Sequence, residues 1–364
     1  MPAISRATAA ALPTSVWIRM YACTITSSRA IGSAPKGHRT LCADRRCAIT
    51  VGDLGEFGVV ARITGRLPQG ESVLLGPGDD AAVVRAPDGR VVVSTDLLIE
   101  GRHFRRHWSS AYDVGRKAAA QNLSDVAAMG AIPTALVVGL GMPPDVPVAW
   151  VDGLADGFRE ECALVGASVA GGDITRSELV VIGVTALGDL GGHAPVTRSG
   201  ARPGQVVAFA GRLGYAAAGL ALLEAGLEPE GGPLLEAVEG HRRPRPPYAC
   251  GPEAARMGAA AMLDVSDGLL QDLGHVAAAS GVGITLDPTA FPIGEPVAAA
   301  AKELGADPVE WMLTGGEDHA LAAVFPPEVR LPPHWTAVGH VVEGAKVQVA
   351  GRTTGRGGWD HFRE

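Results

Sequence analysis

The sequence predicts a mixed α/β (α+β) fold with two domains, each a mixed sheet covered by helices. First, 364 residues with 47% apolar content are enough to bury two cores. Second, short β-branched strands alternate with amphipathic helices from Val51 onward. Third, 49 glycines and 26 prolines follow no repeat period, which indicates many tight turns and backbone held close to a ligand. Together these observations favour an α/β enzyme.

The first domain is predicted over residues 51–196. Its helices carry apolar residues at helical spacing, and its strands are short β-branched runs bounded by turn residues. An Ala-rich helix ends at a glycine, which is typical of a helix stop. The expected elements are a helix over 56–66, strands over 72–75 and 91–95, a helix over 111–130, a strand over 134–140, a helix over 148–165, and strands over 168–170 and 179–187.

The second domain is predicted over residues 197–364 and begins with a loop-rich junction at 197–204. Residues 228–247 are rich in Gly, Pro and Arg, which predicts a mobile loop. The expected elements are a strand over 206–210, a helix over 215–225, strands near Met262 and Ile284, and strands over 320–325 and 337–341.

Charge and cysteine content exclude several classes of protein. The net charge is −8 without a long basic block in the body, which argues against nucleic-acid and anionic-membrane partners. The longest apolar run falls short of the ~18 residues that span a bilayer. Five cysteines form no CxxC pair, so neither a structural zinc nor a disulfide framework is suggested, and a reducing cytoplasm fits best.

Residues 1–50 differ in composition from the rest, with seven basic residues and one acidic residue, Asp44. Such a segment resembles a transit peptide, and residues 7–18 resemble a weak signal core. A disordered leader, or a start codon placed too far upstream, is the favoured interpretation.

The informative feature of the body is an aspartate that follows an apolar strand, or lies within an apolar helix, beside Gly, Ser or Thr. Carboxylates in such places are unfavourable unless paired or metal-bound, and few basic residues lie near them in sequence. Oxygen ligands without His or Cys suit Mg²⁺, which completes its shell with water and phosphate. The five occurrences are Gly78-Asp79-Asp80, Ser94-Thr95-Asp96, Asn122-Leu123-Ser124-Asp125, Gly171-Gly172-Asp173 and Asp264-Val265-Ser266-Asp267.

Each occurrence also has a structural explanation, because Gly-Asp pairs form turns and Asp caps helices. Five together favour a site. Asn122 and Asp125 are three residues apart and share a helix face, where two polar groups on a buried stripe favour a ligand. The chain has no P-loop, and the Gly211-Arg212-Leu213-Gly214 turn before a helix offers phosphate-binding N–H groups only as a weak alternative to a plain turn.

Taken in order, eight motifs resemble the thiamine-monophosphate kinase family, a branch of the aminoimidazole-ribonucleotide-synthetase-like superfamily. The resemblance spans residues 52–362 and implies the two-domain fold of that superfamily, with residues 51–196 binding ATP and Mg²⁺ and forming the dimer. It also implies transfer of the γ-phosphoryl group of ATP to thiamine monophosphate with several Mg²⁺ ions, in a homodimer. The motifs are GPGDDAA (76–82), STDLLIEGRHF (94–104), NLSDVAAMGA (122–131), GGDITRS (171–177), TRSGARPG (197–204), DVSDGL (264–269), GGEDH (315–319) and GWDHF (358–362).

The resemblance assigns three sets of site residues and no general base. Phe158 is the residue that matches the aromatic that packs on adenine in the family. Metal ligands are Asp80, Ser94, Thr95, Asp96, Asp125, Asp173, Asp264 and Asp267; ATP contacts are Gly172, Asp173, Arg198 and Ser266; thiamine monophosphate contacts are His103, Glu317 and Trp359, with Trp359 stacking on a thiamine ring.

Each substrate residue also has a structural explanation: Glu317 in a polar turn, His103 in a loop, and Trp359 as a packing residue. The family's P-x-P-R turn reads here with Pro247 in place of the final arginine, which puts that arginine's role in doubt. The alternatives in function are an ATP-dependent synthetase of the same superfamily that activates an amide or a selenide, and a nucleotide-binding paralogue without turnover. Selenophosphate synthetases carry a reactive Cys near a Lys, and no upstream cysteine here resembles it.

Overall fold

Two large β-sheets organise the chain beside a small antiparallel pair, and helices pack against the large sheets, which confirms the predicted mixed α/β fold. The computed structural model describes residues 49–78, 81–352 and 358–359, which lie in one compact unit. In chain order the elements are α1 (Val51–Thr64), β1 (Val73–Leu75), β2 (Val83–Val84), β3 (Val92–Ile99), α2 (Ala111–Ala128), β4 (Ile132–Met142), α3 (Val148–Ala163), β5 (Ser168–Arg176), β6 (Val181–Asp189), β7 (Val206–Ala210), α4 (Tyr215–Glu224), α5 (Gly232–Arg242), α6 (Cys250–Arg256), β8 (Ala261–Val265), α7 (Leu269–Ser280), β9 (Gly283–Leu286), α8 (Glu295–Leu304), α9 (Pro308–Thr314), β10 (Ala320–Phe325), β11 (Trp335–Val342) and β12 (Val347–Val349).

The first sheet has four strands in the order β3-β6-β4-β5, and only β4 and β5 are parallel. Helices α2 and α3 pack on one face of it, where alternate strand residues are buried. The opposite face exposes apolar side chains, namely Val93, Leu97 and Val137, which are 60%, 58% and 37% exposed. The register pairs Thr95 with Thr185, and Val137 pairs with Thr185 on its other side, so these residues share the open face.

Helices α2 and α3 approach each other closely because glycines lie at their contact. A Cβ at Gly115 would stand 2.2 Å from the carbonyl oxygen of Leu154, and one at Gly157 would stand 2.3 Å from that of Tyr112. Ser110 and Asp113 form a capping box that fixes where α2 begins. The start of α2 and its close approach to α3 are therefore both fixed by identifiable residues.

The second sheet has six strands in the order β12-β9-β11-β7-β10-β8, and all neighbours are antiparallel except β12 and β9. Helices α7 and α9 bury its apolar face. A further hydrophobic cluster contains residues of β7, β8, β10 and β11 together with Ala128 of α2, Val196, and Ala254 of α6. The C-terminal end of α2 is thus held against the second sheet, between the two halves of the chain.

Several predicted boundaries are wrong for identifiable reasons. Residues 228–247 are not an irregular loop, because α5 lies within them, with Pro233 in its first turn and Val238 and His241 buried. Strands β3 and β5 continue through Asp96 and Asp173, which were predicted to follow the strand ends. Among the described residues no helix is both long and apolar enough to cross a membrane.

Candidate active site

Strand β3 and helix α2 bring the predicted metal ligands Ser94, Asp96 and Asp125 together. The Ser94 hydroxyl donates to Asp125 Oδ2 at 2.6 Å, and the Asp96 backbone N–H donates to Asn122 Oδ1 at 3.1 Å. Asn122 in turn donates its amide N–H to the Ala118 carbonyl at 2.9 Å. The side-chain amide of the buried Asn122 therefore makes hydrogen bonds that link β3 to α2. The Asp125 carboxylate accepts from Ser94 and lies close to other negatively charged groups.

The second half of the chain adds Asp264, at the end of β8, to this group. Asp264 is 6% exposed and its Oδ2 lies 3.0 Å from Nδ1 of the buried His319. Burial, and then the negative charges of Asp264 and Asp96, raise the pKa of Asp125 to about 7. Carboxylates from both halves therefore repel one another, which is the charge pattern that a hard divalent cation relieves.

A cavity of about 440 Å³ opens beside these carboxylates. Its lining includes Ser94, Asp125, Arg198 and Asp264, and its size falls in the ~300–1,000 Å³ range of small-molecule sites. The predicted ATP contact Arg198 therefore shares a cavity with three predicted metal ligands. Its cationic side chain complements an anionic ligand in a cavity whose other charged lining residues are Asp125 and Asp264.

The turn after β8 carries Ser266 and Asp267 and serves as an anchor for two distant segments. The Ser266 carbonyl accepts the Glu317 N–H at 2.8 Å, and the Asp267 carbonyl accepts the Trp359 N–H at 2.9 Å. Asp272 accepts the backbone N–H of Asp267 at 3.1 Å, and burial, then Asp264, raises the pKa of Asp272 to about 7. The 55%-exposed Trp359 is thus tied by its backbone next to the carboxylate cluster.

A buried lysine joins the predicted substrate residues His103 and Glu317. Lys117 of α2 is 2% exposed, and its ammonium donates to the His103 carbonyl and to Glu317 Oε2, both at 3.0 Å. The His103 ring accepts the Ile99 N–H through Nδ1 at 3.0 Å, which leaves Nε2 as the donor of the neutral ring. His103 and Glu317, 214 positions apart in sequence, therefore meet through Lys117.

The charge of Glu317 is stabilised in this pair. Burial alone would raise its pKa, but Lys117, His241 and His319 together outweigh burial and lower the pKa of Glu317 to about 2. His241 Nδ1 lies 3.4 Å from the same carboxylate, and burial, then Lys117, lowers the pKa of His241 to about 3, so its ring is neutral. The predicted substrate residue Glu317 therefore belongs to an ion pair with a neutral imidazole beside it.

The GGEDH segment adopts an uncommon backbone. Glu317 and His319 have φ values of 64° and 52°, a left-handed conformation that is unusual for residues other than glycine. Between them Asp318 accepts the N–H groups of Gly214 and Ala216, at 2.5 and 2.8 Å. The N-terminus of α4 is therefore capped by a carboxylate, so the Gly214 and Ala216 N–H groups donate to Asp318 rather than to a phosphate.

Not every predicted residue joins the cluster. Thr95 lies on the opposite face of β3, as strand alternation requires, and its hydroxyl donates to the Val184 carbonyl at 2.9 Å. Phe158 is 3% exposed within the core, so it presents no face to adenine, which corrects that assignment. Gly172 and Asp173 lie on the edge strand β5 and are exposed. Asp80 lies outside the described residues.

Sequence reasoning missed Lys117, Asp272 and His319. A signal for Lys117 existed, because a lysine in an Ala-rich apolar helix has no obvious solvent-facing stripe. Lys117 and Ser124 are seven residues apart and share a helix face, and the Ser124 hydroxyl lies 3.4 Å from the His319 carbonyl. That face of α2 is the one turned towards the second half of the chain.

Comparison with known proteins identifies the class. The family model of the AIR synthase related protein N-terminal domain matches residues 78–190, and that of the C-terminal domain matches residues 202–357. The chain therefore belongs to the AIR synthase related proteins.

Relatives narrow the family further. The chain is 50% identical over 318 residues to thiamine-monophosphate kinase of Mycobacterium tuberculosis, covering 86% of this chain and 94% of the relative. It is 45% identical over 277 residues to the Corynebacterium glutamicum enzyme, covering 75% and 82%. The structure of AaThiL complexed with AMPPCP and TMP aligns with a TM-score of 0.72 at 34% identity, covering 85% and 98%. Within its class the chain belongs to the thiamine-monophosphate kinase family of enzymes.

Proposed function

We propose that this protein transfers the γ-phosphoryl group of ATP to thiamine monophosphate, forming thiamine diphosphate, by direct in-line transfer assisted by several Mg²⁺ ions. The names of the relatives, and a related structure holding an ATP analogue with TMP, support the two substrates. The observation that carries the proposal for this chain is the group of Asp96, Asp125 and Asp264 beside a cavity that also contains Arg198.

The residues of this group fit Mg²⁺. Ser94, Asp96, Asp125 and Asp264 offer hard oxygen donors. Burial, and then the negative charges of Asp264 and Asp96, raise the pKa of Asp125 even though His319 and the Ser94 hydroxyl act in the opposite direction, so a divalent cation would further stabilise the ionised carboxylates. When bound, Mg²⁺ would neutralise phosphate charge and align donor and acceptor. Ser94 holds Asp125 in place through its hydroxyl, and His319 does the same for Asp264.

The remaining residues divide the work of binding. The phosphate acceptor is ionised at neutral pH, so no side chain has to remove a proton. Arg198 contributes a positive charge at the cavity wall. Lys117 holds the two proposed substrate residues, Glu317 and His103, next to each other. Trp359 supplies an exposed aromatic face for the thiamine ring. Positioning and charge compensation therefore account for the chemistry that this chain must perform.

Product analysis of the full chain with ATP, Mg²⁺ and thiamine monophosphate tests the proposal. We expect ADP and thiamine diphosphate in equal amounts, no diphosphate when Mg²⁺ is chelated, and loss of most turnover in Asp125→Asn. Asp145→Asn, at an exposed loop position, is the matched control and should behave as wild type. ADP without thiamine diphosphate would indicate a superfamily synthetase with another acceptor, and ATP binding without ADP would indicate a non-catalytic paralogue.

We further propose a homodimer formed through the open face of the four-stranded sheet, where Val93, Leu97 and Val137 leave apolar surface in contact with water. Light scattering should give a dimeric mass for wild type and a monomeric mass for Leu97→Glu. Leu164→Glu, similarly exposed at the residue that follows α3, should remain dimeric. The division into domains 51–196 and 197–364 also remains our proposal, supported by the two sheets lying on either side of it.

A further inference from the structure

A second cluster of ligand-type side chains lies away from the residues of the candidate active site. Cys250, Glu253 and His334 each offer one donor atom, and these atoms lie within 4.8 Å of one another. Cys250 and Glu253 are three residues apart on α6, so they share a helix face. His334 reaches them from the residue before β11, 81 positions from Glu253.

The cluster is supported by a rigid neighbour. Trp335 is 4% exposed and packs edge-to-face on Phe325, with ring centroids 5.0 Å apart. Its indole N–H donates to Glu253 Oε2 at 3.0 Å, and His334 Nε2 lies 2.6 Å from the same oxygen. An outer hydrogen bond that orients a carboxylate is the arrangement by which proteins hold metal ligands in place.

We propose that Cys250, Glu253 and His334 form a binding site for Zn²⁺ or a cation of the same borderline-soft class. Sulfur, nitrogen and carboxylate oxygen are the three donor types that Zn²⁺ takes in proteins, and three protein ligands leave a fourth position for water. One thiolate and one carboxylate balance the two positive charges. Mg²⁺ is a poor occupant because it prefers oxygen ligands alone, so this site and the carboxylate cluster select different metals.

Binding at this site is a proton exchange as well as a coordination event. Burial, and then the charge of Glu253, raises the pKa of the Cys250 thiol to about 11, so the metal-free thiol is protonated at neutral pH. Forming the sulfur–zinc bond breaks the S–H bond and releases that proton to solvent.

The cation would join two segments that meet at the boundary between the halves of the chain. Helix α6 packs against the end of α2, where a Cβ at Gly251 would stand 2.0 Å from the Ala127 carbonyl oxygen. A bridge from α6 to the residue before β11 would therefore strengthen the part of the core that Ala128 shares with Trp335.

Zinc titration of the untagged full chain against a chromophoric chelator, with Mg²⁺ present, tests the site. Cys23, Cys42 and Cys47 lie outside the described residues, so the site is measured as a difference between variants. We expect Cys250→Ser and His334→Ala each to lose one tight equivalent of Zn²⁺. The matched controls Cys162→Ser, a buried thiol, and His340→Ala, an exposed histidine on β11, should keep it. Trp335→Phe should weaken zinc affinity about 10-fold.

Cobalt gives an independent readout. Co²⁺ added to wild type or to Cys162→Ser should produce a thiolate-to-cobalt charge-transfer band. In Cys250→Ser the intensity of this band should be lower by the contribution of one site. The proposal is overturned if Cys250→Ser and His334→Ala bind as much Zn²⁺ as wild type, or if only one of them loses the equivalent. Neither result depends on the phosphoryl-transfer assay, so failure of the proposed zinc site can be distinguished from failure of the proposed function.

Discussion

Replacing Lys117 with methionine tests the link between the two halves of the candidate site. Methionine keeps the length of the apolar stem but removes the ammonium, which donates to the His103 carbonyl and to Glu317 at 3.0 Å. Breaking a buried ion pair from one side costs about 3–5 kcal/mol, because the other charge is left uncompensated. Since the Glu317 side chain keeps 31% exposure, we expect the lower end, about 3 kcal/mol.

For a chain of this size that loss corresponds to a melting temperature lower by about 6 °C. Lys302→Met, the same substitution at an exposed position on α8, should leave the melting temperature unchanged. The double variant Lys117→Met with Glu317→Gln removes both charges and should recover much of the loss. Because Lys117 contacts both proposed substrate residues, the KM for thiamine monophosphate should rise more than the KM for ATP.

The dependence on pH separates this charge effect from a packing defect. The pKa of Glu317 is lowered from 4.5 to about 2 in the folded protein, so the pair stabilises the fold above pH 4.5 and loses its effect as the pH falls towards 2. The difference in unfolding free energy between wild type and Lys117→Met, measured by denaturant titration, should therefore shrink from pH 7 to pH 3. An equal difference at both pH values, or a double variant no more stable than the single one, would refute the reasoning.

Three further predictions follow from the same geometry. Trp359→Ala should raise the KM for thiamine monophosphate several-fold more than that for ATP, since an aromatic face on a cationic ring contributes about 0.5–2 kcal/mol; equal shifts would mean that Trp359 only anchors its segment. Thr95→Val should keep turnover within about 3-fold of wild type, whereas Ser94→Ala should lower it about 10-fold by freeing Asp125, at roughly 1.4 kcal/mol per tenfold change. Burial raises the pKa of Asp318 from 3.8 to about 7, so between pH 4 and pH 7 the folded protein holds a proton on Asp318 that the unfolded chain has released. The free energy of unfolding should therefore fall as the pH rises from 4 to 7, and Asp318→Asn should flatten that decline. The same dependence of unfolding free energy on pH in wild type and variant, measured by denaturant titration, would contradict it.

Periodicity alone predicted much of the fold. The predicted limits of β7 and β10 agree with the structure, because both are short, wholly apolar runs bounded by turn residues. The predicted start of α1 was wrong by five residues, because the Thr50–Asp53 capping box begins the helix before its apolar pattern does, and Gly55 interrupts that pattern with φ 71°. Helix α5 was missed because its proline and glycines were read as loop signals.

The site was predicted less evenly, for a physical reason. Aspartates beside Gly, Ser or Thr can be recognised in the local sequence as candidate metal ligands, and Asp125 and Asp264 do line one cavity. The face on which each side chain lies depends on strand register, which the motif does not encode, and so Thr95 was grouped with Ser94 although the two point in opposite directions. Lys117 was missed because its partner, Glu317, is 200 residues away in sequence.

Helix α2 explains why metal-binding and substrate-binding residues can depend on each other. Lys117 and Asp125 are eight positions apart, so at ~1.5 Å per residue their backbones are separated by about 12 Å along one helix. Lys117 contacts Glu317, and Asp125 is charge-coupled to Asp264, so both positions engage the second half of the chain. A displacement of the helix relative to the second sheet must therefore change both contacts together. Gly115 and Gly157 let α2 and α3 pack with their backbones in close contact, so such a displacement of α2 would have to carry α3 with it.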